Sequence, residues 1–173
     1  FSKGKIIYLK PNFTTGYYKG YYQSYIPKLK IASDKLSEYF GIKVIELPLN
    51  TDGGNFAFNG KDTIILTNRI ISNNETLSIN EIRNIYKRTL GIKNVIFVPV
   101  EPGDVTGHTD GTLRFIDEKT IIIGKYPIRF KKENIFTDKL TKELTTQLGK
   151  DFKIISIEND IISDEDVSSK TCS

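Results

Sequence analysis

Residues 53–66 read GGNFAFNGKDTIIL, and residues 110–124 read DGTLRFIDEKTIIIG. The first opens at Gly53-Gly54 and the second at Asp110-Gly111; both alternate apolar with other residues, turn through polar residues, and return along a Thr-Ile-Ile run. Alternation with a period of two marks a half-buried strand, and a short continuous apolar run fits a strand buried on both faces. Asn59-Gly60 is a strong hairpin signal because both residues tolerate left-handed backbone. A second hairpin is expected around Glu118-Lys119. Two matching β-hairpins in one short chain point to a repeated unit.

The segments that follow each hairpin complete that unit. Residues 78–91, SINEIRNIYKRTLG, place Ser78 three residues before Glu81, the pattern of a capping box. Ile79, Ile82, Ile85, Tyr86 and Leu90 form the apolar stripe, and Gly91 ends the helix. Residues 136–149, FTDKLTKELTTQLG, predict a second helix that stops at Gly149. An earlier one, residues 25–40, carries Ile26, Leu29, Leu36 and Phe40 near helical spacing, with Pro27 tolerable in a first turn and Gly41 as its stop. The exits read EYFGIKVIELP, RTLGIKNVIFVP and TQLGKDFKIISIE, each a helix end, a glycine, a lysine and a strand, roughly 50 to 60 residues apart. Chance alternation of helices and strands would not also match the hairpins. The chain is therefore expected to be α/β and built of ββαβ repeats. Residues 1–50, with the strand KIIYLK (Lys5–Lys10), form the end of one unit. Residues 51–100 form a second unit, residues 101–160 a third, and 161–173 a tail. One helix covers one face of such a unit, so the units are expected to stack or close into a ring.

Composition limits the function classes. The 173 residues are 38% hydrophobic and 27% charged, with a formal net charge of +4. No apolar run approaches the roughly 18 residues of a membrane span, so no membrane partner is expected. The start FSKGKIIYLK lacks the apolar core of a signal peptide. The lysines and arginines are scattered, with Arg129, Lys131 and Lys132 the nearest thing to a cluster, and no nucleic-acid partner is expected. The lone cysteine, Cys172, cannot form an internal disulfide. Asn12-Phe13-Thr14 and Asn74-Glu75-Thr76 match the glycosylation pattern, which matters only in a glycosylating pathway. The chain has no Met, and beyond Glu158 it turns acidic and then Ser-rich. We expect it to be cut at both ends.

The one histidine lies in GDVTGHTDGTLRF, residues 103–115. In an extended His108-Thr109-Asp110 segment, positions i and i+2 face the same side, so an imidazole and a carboxylate would share a point. An imidazole can shuttle protons near neutral pH, and carboxylates can grip a guanidinium through paired, charge-assisted hydrogen bonds. TDGGNF puts Asp52 at the equivalent place before the earlier hairpin. The plainer alternatives are a turn at Asp52-Gly53-Gly54 and a hydrogen-bonded loop residue at His108. One His, two Asp and a remote Cys match no standard metal-ligand spacing, and there is no G-x-S-x-G elbow for a Ser-His-Asp triad. No metal and no cofactor are expected.

DGGNF…NG…TIILT, followed by LGIKNVIFVPV…GDVTGHTDGTLRF, resembles the agmatine deiminase and Porphyromonas-type peptidylarginine deiminase family of the guanidino-modifying, or pentein, superfamily. The resemblance runs from about Lys5 to about Glu158. It implies a pentein-type α/β propeller of five ββαβ blades, incomplete in this chain. It implies that His108 is the catalytic proton shuttle, that Asp110 is both catalytic and the carboxylate that grips the guanidinium, and that Asp52 is a further substrate-binding carboxylate. Many members carry Glu at the position of Asp52, one methylene longer. In the family, a cysteine thiolate attacks the guanidinium carbon, ammonia leaves, and water releases a ureido product from the thiouronium. The Arg-Asp element of the first blade would precede Phe1. The nucleophilic cysteine would stand well over a hundred residues past the His-x-Asp element, so Cys172 is not expected to be it. The implied partners are a small-molecule or peptidyl guanidino substrate (agmatine, arginine or peptidyl-arginine) and the remainder of the chain's own propeller. The compartment stays open between cytoplasmic and secreted. An amidinotransferase or dihydrolase of the same superfamily, a non-catalytic propeller acting as a binding module, and an unrelated α/β protein with a chance His-x-Asp remain the alternatives.

Overall fold

A computed structural model describes residues 6–12 and 24–158. In chain order the elements are β1 (Ile7–Asn12), α1 (Ile26–Tyr39), β2 (Lys43–Asn50), β3 (Ala57–Phe58), β4 (Thr63–Thr67), α2 (Arg69–Ser72), α3 (Ile79–Leu90), β5 (Asn94–Val98), β6 (Leu113–Phe115), β7 (Thr120–Lys125), α4 (Lys131–Leu148) and β8 (Lys153–Glu158). β3 runs antiparallel to β4, with Phe58 opposite Ile64, and β4 runs parallel to β5, with Ile65 opposite Ile96. β6 runs antiparallel to β7, with Leu113 opposite Ile123, and β7 runs parallel to β8, with Ile122 opposite Ile155. Each parallel pair is joined through a helix, α3 in the first case and α4 in the second. The two three-stranded sheets therefore share one strand order and one pattern of senses. β1 and β2 are parallel and joined through α1, the second half of the same topology.

The chain divides into two compact units, residues 1–53 with 70–93, and residues 54–69 with 94–173. The first holds β1, α1, β2 and α3. Its α3 starts and stops as the sequence predicts. The Ser78 hydroxyl accepts from the Glu81 N–H, the Glu81 carboxylate accepts from the Ser78 N–H at 2.7 Å, and Gly91 closes the helix at φ +69°. The α3 helix lies against β2. Ile82 and Tyr86 are buried, whereas Ile79 is exposed.

The α1 helix departs from its expected packing. Leu29, Leu36 and Phe40 are 44%, 58% and 64% exposed, while Ser33 and Ser37 are buried. The reason is polar matching to β1. Tyr8 donates to the Ser33 hydroxyl at 2.9 Å, and the Lys10 ammonium pairs with Asp34. Both strand residues carry polar tips that need partners, and satisfying them sets the rotation of the helix. The serines in turn donate to the helix carbonyls of Leu29 and Asp34.

At the end of β2, Asn50 locks together with Asn74. The Asn50 N–H donates to Asn74 Oδ1 at 2.9 Å, and Asn74 Nδ2 donates to the carbonyls of Asn50 and Ile70. Asn74 is buried, and its amide serves this fold. Phe13 and Thr14 of the other sequon lie outside the described residues.

The second unit holds the remaining strands and α4 around a core that spans both three-stranded sheets. Ile65, Ile96, Leu113, Ile121 and Ile123 meet Phe136, Leu140 and Leu144 of α4. The helix residues recur every four positions, so they form one stripe, and each such burial contributes roughly 1.5–3 kcal/mol. The helix begins at Lys131, earlier than the expected Phe136. Phe130 packs on Tyr126, and Asn134 receives the Tyr126 N–H and donates back to the Tyr126 carbonyl, which fixes an extra turn. The β3–β4 connection is wider than a two-residue turn. Asn59 Oδ1 accepts from the N–H groups of Lys61, Asp62 and Thr63, each at 3.0 Å, so the side chain organises a longer loop with Gly60 at φ +79°.

Candidate active site

Thr109, between the two candidate residues, decides how they point. Its side chain is fully buried in the second unit. Its hydroxyl donates to Asn55 Oδ1 at 2.7 Å and accepts from the Thr67 N–H at 3.1 Å. Asn55 Oδ1 also accepts from that N–H at 2.7 Å. Thr67, at the end of β4, donates its own hydroxyl to the Gly107 carbonyl. Buried polar atoms that satisfy one another hold a single geometry, because any slip leaves a donor or acceptor unpaired.

The segment is not the extended one expected. The N–H groups of Thr112 and Leu113 both donate to the Thr109 carbonyl at 3.0 Å, so the chain turns here before entering β6. The inward anchoring of Thr109 still leaves its neighbours side by side. His108 Nδ1 lies 4.0 Å from Asp110 Oδ1, with side-chain exposures of 23% and 41%. Arg114 NH2 stands 3.9 Å from Asp110 Oδ2. Its guanidinium shows the kind of cation that this carboxylate can face.

The approach to His108 is built with equal care. Asp104 accepts from the Thr106 N–H at 2.8 Å, from the Thr106 hydroxyl at 2.7 Å and from the His108 N–H at 3.0 Å. Arg69 NH2 donates to the Val105 carbonyl at 3.0 Å. A side chain at Gly107 (φ +67°) would meet Arg69 Nε at 2.6 Å, so glycine is required there by both conformation and space. Glu101 accepts from the Tyr126 and Thr112 hydroxyls. Burial first, and then the Glu101 carboxylate, hold the Tyr126 phenol well above the usual tyrosine range. It therefore stays a donor.

Asp52 belongs to the first unit, just past β2, and is partly buried. There its charge acts on Tyr86. Burial pushes the Tyr86 phenol well above its ordinary range, a hydrogen bond with Thr51 opposes this, and Asp52 adds to it. Cys172 lies outside the described residues. Among the described residues, no group of three or more His, Cys, Asp or Glu could hold a metal ion, and no helix is long and apolar enough to cross a membrane.

Sequence reasoning missed Asn55, Thr67, Asp104 and Arg69. The Asp-x-Thr spacing of Asp104 and Thr106 is a turn signal that was available. Asn55 stands inside the DGGNF element without a role of its own being read from it, and nothing local marks Arg69.

A family model described as Porphyromonas-type peptidyl-arginine deiminase matches residues 7–169. The fold is similar to that of the agmatine deiminase of C. jejuni, with a TM-score of 0.73 and 22% identity over 90% of this chain and 46% of that one. It is also similar to the agmatine deiminase of Enterococcus faecalis, with a TM-score of 0.69 and 16% identity over 89% of this chain and 44% of that one. This chain thus spans about half the length of these solved structures. No curated protein matches its sequence.

Proposed function

This chain belongs to the Porphyromonas-type peptidyl-arginine deiminase family, and on that premise we propose that it is part of an amidine hydrolase that converts a guanidino group to a ureido group with release of ammonia. The observation that carries the reading is the His108–Asp110 pair, 4.0 Å apart on a turn locked from beneath by Thr109. Asp110 grips the guanidinium of agmatine, arginine or peptidyl-arginine through charge-assisted hydrogen bonds. His108 moves protons, first to the departing ammonia and then from the attacking water. A cysteine thiolate is the nucleophile, and it is not Cys172. Opposite the guanidinium carbon, the thiolate forms the C–S bond as the C–NH2 bond breaks, and water then replaces sulfur.

The matching β3–β4–α3–β5 and β6–β7–α4–β8 topologies support the further proposal that residues 51–100 and 101–160 are blades of a pentein propeller. The same strand order and senses in both support that reading. The experiment is direct. The full-length protein is incubated with agmatine and with an arginine-containing peptide, and ureido product and ammonia are measured. Stoichiometric formation of both supports the reading, and their absence with every guanidino substrate refutes it.

A further inference from the structure

We propose that Gly54 is a positioning residue for His108, and that its missing side chain is what lets the imidazole stand beside Asp110. A Cβ at Gly54 would lie 2.3 Å from His108 Nδ1, and 2.7 Å from Cγ and from Cε1. Cγ and Cε1 are the two ring neighbours of Nδ1 and lie equally far, so the Cβ would sit over the face of the ring at Nδ1, and the imidazole itself fills the space that a side chain would take. Gly54 is outside the left-handed region, so its backbone conformation is open to any residue. The requirement is for space alone. The same residue also holds the other half of the pair, because its carbonyl accepts from the Asp110 N–H at 3.1 Å. Gly53 differs from it, since a Cβ there would meet nothing within 4 Å.

A methyl at Gly54 must push the ring aside, since no real Cβ contact is as short as 2.3 Å. The backbone around it is tied down by Asp104 at the His108 N–H and by Gly54 itself at the Asp110 N–H. The displacement therefore falls on the imidazole. A shift of about an ångström in a catalytic group can cost roughly 100-fold in rate. The catalytic part of this inference rests on the proposed function, whereas the seat itself does not.

The test separates the two. His108 is the chain's one histidine, so the imidazole nitrogen NMR signals of the 173-residue chain report it alone. Gly54→Ala is expected to move those signals and to lower stability, while Gly53→Ala leaves the signals in place. In a His108→Ala background the same Gly54→Ala change is expected to cost little stability, because the clash has gone. In the full-length protein Gly54→Ala is expected to lower kcat roughly 100-fold with KM little changed. Unmoved imidazole signals, or an equal stability cost in both backgrounds, would overturn the seat. If Gly54→Ala alone does not fold, a folded Gly54→Ala/His108→Ala protein supports the proposal and an unfolded one overturns it. Coupling in a protein whose wild type has no deiminase activity would sink the functional reading and leave the seat. An active wild type with an unperturbed imidazole in Gly54→Ala would do the reverse.

Discussion

The Thr109 hydroxyl donates to Asn55 Oδ1 at 2.7 Å, and both residues are buried. This bond ties the turn between His108 and Asp110 to the segment just before β3. It turns one residue inward and so leaves its two neighbours at the surface together. Asn55 stands next to Gly54, whose carbonyl takes the Asp110 N–H, so two adjacent residues fasten the whole His-x-Asp element.

Thr109→Val keeps the shape but removes the hydroxyl's bonds to Asn55 Oδ1 and from the Thr67 N–H, which still bond each other. Loss of such a hydrogen bond costs roughly 0.5–1.5 kcal/mol. The urea midpoint of the variant is expected to fall accordingly, while Thr109→Ser, which keeps the hydroxyl, loses less. An unchanged midpoint for Thr109→Val would show that the bond does not stabilise the turn.

Asp104 gathers the Thr106 N–H, the Thr106 hydroxyl and the His108 N–H. Asp104→Ala is expected to speed hydrogen exchange at the Thr106 and His108 amides while leaving the amides of β4 and α4 protected. Exchange that accelerates everywhere would mean that Asp104 supports the unit as a whole and not the loop.

Ser78 and Glu81 give a pH-dependent contribution with a definite sign. The Ser78 hydroxyl and then the Ser78 N–H hold the Glu81 carboxyl below its ordinary range. A carboxyl depressed in the folded state stabilises fully above its unfolded value and loses that effect as the pH falls through the folded value. The stability gap between wild type and Glu81→Ala is expected to be widest near neutral pH and to narrow in acid. Ser78→Ala is expected to cost about 1 kcal/mol at neutral pH. A gap that widens in acid would contradict the capping box as the cause.

Much of this was legible in the sequence because its signals are local. Capping at Ser78 and Glu81, stops at Gly41, Gly91 and Gly149, and two matched hairpins depend on residues within a few positions of one another. The side-by-side placement of His108 and Asp110 was also readable, although the segment turns where an extended chain was expected. What was not readable depends on distant partners. The rotation of α1 follows from Tyr8 and Lys10 on another element, which bury Ser33 and leave Leu36 exposed. The early start of α4 follows from the Asn134 amide gripping Tyr126. Asn55, alone in its segment, becomes informative only once Thr67 and Thr109 are seen beside it.

The most direct test of the account is the turnover of agmatine and of peptidyl-arginine by the full-length protein, compared with its Asp110→Asn and His108→Ala variants. Asp110→Asn keeps the shape of the side chain and removes its charge. Loss of a hydrogen bond to a charged group in a desolvated site costs about 3 kcal/mol, so kcat/KM is expected to fall by roughly 100-fold or more. His108→Ala is expected to lose more, because in the proposed mechanism ammonia release and hydrolysis both need its proton transfer. Ureido product formed at the wild-type rate by either variant would contradict the account.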